Sequence, residues 1–223
     1  MWIARDHRRR LSTGFHLAAL ALAALASQSA AAGTQQYAPL SASVRALLHR
    51  AVSGGDDWRI SFDSAREGRA WLTDMSRRLE KTMPDATGRR RFLKTVHYEA
   101  ARAGLNPQLV LGLIQVESRF NKYALSRAGA RGYMQVMPFW VKLIGAPHQD
   151  LFHLRTNLRY GCTILRYYLD REKGNLFRAL GRYNGSLGQA DYPAKVVRAW
   201  HTRWRYPAPR AANARITPSF KAH

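Results

Sequence analysis

A single cysteine in 223 residues, Cys162, rules out an internal disulfide and with it any disulfide-stapled scaffold. It sits in RYGCTILRYYL among apolar neighbours and reads as a small buried core residue rather than a nucleophile. Acids are scarce too, 14 Asp and Glu against 36 Lys and Arg, for a formal charge of +22. Such an excess points to a polyanionic partner: nucleic acid, an anionic membrane surface or an acidic cell-wall polymer. No stretch alternates convincingly as a strand, and no repeat recurs at a fixed period. The longest apolar run, LAALALAALA from Leu17 to Ala26, is too short to span a bilayer comfortably. It follows Arg5, Arg8, Arg9 and Arg10 and precedes SQSAAAG, the layout of an export signal cleaved after Ala32, with an uncleaved N-terminal anchor as the alternative. No cysteine follows the run, which excludes a lipid-anchored start on cysteine. Export makes nucleic acid the least suitable of the three partners. His148 and His153 lack an acidic or Cys partner at ligand spacing, and there is no Gly-rich phosphate loop, so no metal or other cofactor is expected.

What the chain does have is helical periodicity. Residues 33–63 read as a flexible linker, GTQQYAPLS, then a brief amphipathic helix, SVRALLHRAV, then a break at SGGDDWRISFDS. Trp71, Met75, Leu79 and Met83 recur every four residues in a helix that stops at Pro84. Thr87 is placed to cap the next helix, striped by Phe92, Val96, Ala100 and Ala103 and stopped by Gly104. Asn106-Pro107 supplies an N-cap and an N1 proline for another. YALSRAGARG is loop-like, and MQVMPFWVKLIG reads as one short helix ending or kinking before Pro138 and a second ended by Gly145. Leu154, Leu158, Cys162, Leu165 and Leu169 stripe a strong helix closed by Gly174; NLFRALGRYNG and YPAKVVRAWHTRWRY are the last two. The expected architecture is all-α, with its domain over residues 64–205 and a disordered tail over 206–223.

One residue breaks the apolar pattern. In LIQVESRF the carboxylate Glu117 lies three, four, seven and eight residues after Ile114, Leu113, Val110 and Leu109, on the apolar face of its helix. A carboxyl held against apolar side chains resists ionising and stays protonated near neutral pH, as a general acid in glycoside cleavage must. The plainer readings are a surface Glu, or one paired with one of the many Arg.

The neighbourhood weighs against the plainer readings. ESRFNKYALSRAGARGYMQVMPFW followed by RYNG resembles the catalytic core of the soluble-type (SLT) lytic transglycosylase family, in which an E-S pair, a G-x-M-Q-x-M-P turn and a Y-N pair occur in order. Here these are Glu117-Ser118, Gly132 to Pro138 and Tyr183-Asn184, within a matched core of about residues 100–204. The resemblance implies a lysozyme-like all-α domain with a cleft. It implies Glu117 as catalytic acid and base, and Ser126 and Gln135 as hydrogen-bonding groups in a saccharide groove. Met134 and Tyr183 would line the site, with core packing as their alternative, and Asn184 would hold the turn that positions Tyr183. Ser118 reads as a helix-end hydrogen bonder, since no His base lies nearby. Tyr133, Lys122, Arg127 and Gly185-Ser186 depart from the family's usual Leu, Pro, Pro and Ala-Gly without removing a chemical group. Tyr133, Phe139, Trp140, Tyr192 and Trp200 offer aromatic faces for sugar rings, or for the core.

The expected activity is cleavage of the β-1,4 bond between N-acetylmuramic acid and N-acetylglucosamine, leaving 1,6-anhydro ends, by a periplasmic, monomeric, cofactor-free enzyme. Its partners would be peptidoglycan strands, with an envelope or secretion assembly as a candidate recruiter. The rivals are a muramidase that hydrolyses the same bond, a weakly catalytic wall-binding module, and a nucleic-acid binder that rests on charge alone. Ser118 to Gln149 contains no acid, and of the later ones Asp170, Glu172 and Asp191 read as solvated surface. A second catalytic carboxylate, which water-delivering glycosidases need, is therefore hard to find.

Overall fold

The computed structural model describes residue 35 and residues 39–54 and 64–206; the expected export signal, the 55–63 stretch and the tail beyond 206 lie outside the described residues. Among the described residues the fold is all-α, with eight helices and, in place of strands, two isolated bridges, Leu125 with Arg131 and Arg131 with Val136. The helices are α1 (Ala42–Ser53), α2 (Ala65–Leu79), α3 (Ala86–Arg102), α4 (Pro107–Ser118), α5 (Phe139–Ile144), α6 (Leu154–Arg171), α7 (Leu176–Asn184) and α8 (Asp191–Arg203). No described helix is long and apolar enough to cross a membrane.

The central helix is α4. Asn106 caps it by accepting from the N–H groups of Gln108 and Leu109, and Pro107 fills the first position, where no N–H is needed. Leu109 to Ile114 are all buried, so α4 is enclosed on nearly every side. Its most extensive partner is α8. Gly112 permits their approach: a Cβ there would come within 2.9 Å of the Trp200 backbone nitrogen. At its other end α8 carries Tyr192 to the end of α4.

The apolar stripes fall where the spacing puts them. Trp71, Met75 and Leu79 are buried on α2, Phe92, Val96 and Ala100 on α3, and Leu158, Cys162 and Leu165 on α6. Each such side chain removed from water is worth roughly 1.5–3 kcal/mol. Three local expectations change. Asp85, not Thr87, caps α3, its carboxylate taking the N–H groups of Thr87 and Gly88 at 3.0 and 2.9 Å. Residues 134–137 are turns rather than a helix, because Gln135 holds φ at 48° and the Val136 backbone pairs with Arg131. Gln35 and Leu40, inside the expected flexible linker, are buried.

Glu99 is fully buried on α3 and binds three guanidinium groups, those of Arg102, Arg155 and Arg159. Arg102 also donates to the Ala51 carbonyl and Arg159 to that of Gly54, so one carboxylate ties α3 and α6 to α1. Breaking such a cluster from the acid side would strand buried positive charge.

Candidate active site

Glu117 sits in the last turn of α4, which stops abruptly because Arg119 and Phe120 both take positive φ, 51° and 66°. Its residue is 6% exposed. Oε1 accepts a hydrogen bond from the Tyr192 hydroxyl at 2.5 Å, while Oε2 is buried with no hydrogen-bonding partner. Burial pushes the carboxyl up to about 8, a rise the Tyr192 hydrogen bond partly offsets. The unpaired carbonyls at the end of α4 act in the same direction as burial, since they disfavour negative charge. Glu117 is thus neither a surface acid nor the partner of an Arg: no ion pair to it occurs among the described residues. At pH 7 it is mainly the neutral acid, with one oxygen held by Tyr192 and the other without a hydrogen-bonding partner.

The turn over 132–137 is built around a residue the spacing did not single out. Asn157 on α6 is fully buried, accepts from the Met134 N–H at 2.8 Å, and donates to the carbonyls of Arg131 and Leu151, each at 2.8 Å. Gly132, at φ 73°, leaves room for that amide, since a Cβ there would fall 2.4 Å from Asn157 Nδ2. Gly161 leaves similar room for the Met134 side chain. The Tyr183 hydroxyl, in the last turn of α7, donates to the Met134 carbonyl at 2.8 Å. Tyr183 is fully buried, and burial, followed by the nearby Glu117 charge, raises its hydroxyl well above the usual tyrosine range. Met134 and Tyr183 therefore meet each other, and Tyr183 lies near the acid.

The other expected site residues fall around this turn. Gln135 is buried, with its amide nitrogen donating to the carbonyls of Ala124 and Gly132, so that half of the side chain holds the loop. Ser126 is half-buried, and its hydroxyl oxygen accepts from the Ala130 N–H at 3.0 Å. Asn184 is buried as the final residue of α7, next to Gly185 at φ 83°. The Ser118 hydroxyl donates to the Ile114 carbonyl, a helix-end bond that leaves no room for a nucleophile's role. Gln35 reaches the site from outside the helical core, accepting from the Met137 N–H at 3.3 Å and contacting Tyr183.

Of the aromatic residues, Trp140 is buried and packs edge-on to Tyr167 and Tyr168, while Tyr133 is buried against Phe92. Trp140 belongs to the core, and Tyr133 also lines a cavity beside α3. Tyr192 is also buried, and its function in the site is the hydroxyl on Glu117 rather than a stacking ring.

The remaining acids of the C-terminal half are mostly engaged elsewhere. Asp170 pairs with Arg166. Glu172 is enclosed by Arg182 and Arg178, which hold its carboxyl below the usual range, so it is a paired group and not the solvated one expected. Asp150 caps the loop at Phe152 N–H, and Asp191 is exposed at the first residue of α8. Among the described residues no group of His, Cys, Asp and Glu is arranged to hold a metal ion.

Residues 94–199 match the family model described as the Transglycosylase SLT domain. The chain is 35% identical over 110 residues to the transglycosylase of Enterobacteria phage PRD1, covering 49% of this chain and 40% of that protein. It is 35% identical over 127 residues to the membrane-bound lytic murein transglycosylase C of Histophilus somni, covering 50% of this chain and 33% of that protein. It thus spans well under half the length of the curated relatives it matches. The X-ray structure of an inactive mutant of lytic transglycosylase Slt from Pseudomonas aeruginosa aligns with a TM-score of 0.41 at 20% identity, over 60% of this chain and 28% of that one. The matched span begins in α3 and ends in α8, and so encloses Glu117, the 132–137 turn, Tyr183 and Tyr192. Over residues 94–199 the chain is thus similar to the transglycosylase SLT domain.

Proposed function

We propose that this protein is a peptidoglycan lytic transglycosylase acting on the β-1,4 bond between N-acetylmuramic acid and N-acetylglucosamine. The observation that carries the reading is the state of Glu117: buried, raised to about 8, with Oε2 unpartnered. As the neutral acid it protonates the leaving glycosidic oxygen. The 2-acetamido group of the substrate stabilises the positive charge that develops at the sugar. The Glu117 carboxylate, held at Oε1 by Tyr192, then accepts the proton of the sugar's 6-hydroxyl as that oxygen attacks, which closes the 1,6-anhydro ring. Ser126, Gln135, Met134, Tyr183 and Asn184 shape the saccharide groove, Gln135 and Asn184 through the loops they hold.

The protein works in the envelope after export, with residues 1–32 removed, as a monomer on peptidoglycan strands. The decisive test is Glu117→Gln on isolated sacculi. The amide keeps the volume and the Tyr192 contact but has no proton to give, so release of muropeptides falls by at least about a hundredfold. Release within a few fold of wild type would remove Glu117 from the chemistry.

A further inference from the structure

Several cations of the described residues are matched by an acid: Arg77 and Arg78 by Asp74, Arg166 by Asp170, Arg178 and Arg182 by Glu172, and Arg102, Arg155 and Arg159 by Glu99. One cleft gathers cations that, with a single exception, lack such a match. A cavity of about 900 Å³ lies between the N-terminal half of α3, the loop that leaves Glu117 and the start of α6. Arg90, Arg91, Lys94, Lys122 and Arg155 line it, and its one acid is Asp85. Both oxygens of Asp85 are occupied in capping α3. Arg155 already shares Glu99 and lies over the Tyr98 ring. Lys122 donates to the Tyr123 hydroxyl and lies over that ring, with no carboxylate in reach. Arg90, Arg91 and Lys94 have no carboxylate partner at all among the described residues.

This arrangement costs the fold something. Arg90 and Lys94 are four residues apart and Arg91 and Lys94 three, so like charges crowd one face of α3, each pair disfavoured by a few tenths of a kcal/mol. The opposite face of the same helix, Phe92, Val96 and Ala100, packs the core and does not need those cations. Phe92 packs against both Phe120 and Tyr133, at 6.0 and 4.8 Å, so the floor of the cleft is fixed to the loop that follows Glu117. An unpaired cationic wall facing further cations across a cavity is a site for an anionic ligand.

We infer that the cleft between α3 and α6, through Arg90, Arg91, Lys94 and Lys122, binds the carboxylates of the peptide stems that peptidoglycan strands carry. The inference rests on the proposed substrate. The glycan's sugars bring hydroxyl and acetamido groups, and the acid groups of the polymer reside on its lactyl and peptide substituents. A stem of four or five residues extends about 13–17 Å at roughly 3.3 Å per residue, enough to leave a strand and follow a neighbouring cleft. The cleft would make the protein prefer peptide-bearing strands over stripped glycan.

The test uses the full mature chain and a soluble stem tetrapeptide as probe, measured by calorimetry at low and high salt. Arg91→Glu combined with Lys94→Glu weakens binding at least about tenfold, because charge-assisted contacts become repulsive. The same reversal at Lys195 and Arg198, exposed on α8, leaves it unchanged, and a tetrapeptide with its carboxylates amidated does not bind. On sacculi the α3 double variant raises KM, while its rate on peptide-stripped glycan equals that of wild type. Equal tetrapeptide binding by wild type and the α3 variant, equal loss in the α8 variant, or undiminished binding of the amidated peptide would each overturn the cleft. Tetrapeptide binding without any glycan cleavage would support the cleft and sink the transglycosylase reading instead, so the two fail separately.

Discussion

The hydroxyl of Tyr192 on α8 is bonded to Oε1 of Glu117 at the end of α4, and the other oxygen of that carboxyl faces no donor. In the proposed mechanism the bonded oxygen orients the carboxyl, while the unpartnered one gives the proton to the leaving oxygen. Close packing of α4 and α8 at Gly112 supports this contact, so the proposed chemistry depends on a glycine more than one helical turn from the acid.

Ionisation of Glu117 makes stability pH-dependent in a predictable direction. Its carboxyl is raised in the folded protein from 4.5 to about 8. The folded state therefore holds an extra proton between these values, and its contribution, complete below pH 4.5, is lost as pH rises towards 8. The shift is worth up to about 5 kcal/mol. Glu117→Gln has no such loss, so its Tm should match wild type near pH 5 and exceed it increasingly up to pH 9. A constant Tm difference across that range, measured by calorimetry, would show that Glu117 is not buried as a neutral acid.

Activity should follow the same titration. The rate falls as pH rises through about 8, where the proton to be donated is lost. Tyr192→Phe removes the hydrogen bond that favours the ionised form, so this alkaline limb moves upward while the maximal rate drops by roughly ten- to a thousandfold through loss of orientation. A pH–rate profile of the variant checks both. An unshifted limb at full rate would leave Tyr192 without a part in the site.

Asn157 provides a test of the turn independent of the acid. Asn157→Ala leaves the Met134 N–H and the Leu151 carbonyl unpaired inside the protein and takes one of two donors from the Arg131 carbonyl, which keeps the Val136 N–H, a loss on the order of 3 kcal/mol. Denaturant unfolding should show it, together with reduced activity at temperatures where the variant remains folded. A change below 1 kcal/mol would mean the turn is held by Tyr183 and Gln135 alone.

Much of this was legible in the chain. Asn106 and Pro107 fix where α4 begins, and the four- and seven-residue spacing before Glu117 puts the carboxyl on a buried face, as found. The 132–137 turn was legible as a motif but not as a shape. Met134, Val136 and Met137 have helical spacing, while the left-handed backbone at Gly132 and Gln135 depends on the Asn157 amide and the Arg131 bridge, which come from elsewhere in the fold. Asn157 itself gives no signal, being one polar residue in a helix. Tyr192 was visible only as an aromatic ring, because its contact with Glu117 spans 75 residues. Glu99 lies one position from the Ala100 stripe, and its three arginines come from two helices, so its burial was illegible to local periodicity. The cationic face of α3 was counted in the net charge, but only the fold shows which cations remain without acids.

The central claim is that the bond is closed by the sugar's own 6-hydroxyl and not by water. Mass spectrometry of the fragments released from purified sacculi tests it most directly, since a 1,6-anhydro end weighs one water less than a reducing end. The account predicts that the released muropeptides carry anhydro-N-acetylmuramic acid ends from the first time point. Fragments bearing mainly reducing muramic acid ends would contradict it: water would then be the nucleophile, and the exposed carboxylates of Asp150 and Asp191 would be the first places to look for the missing base.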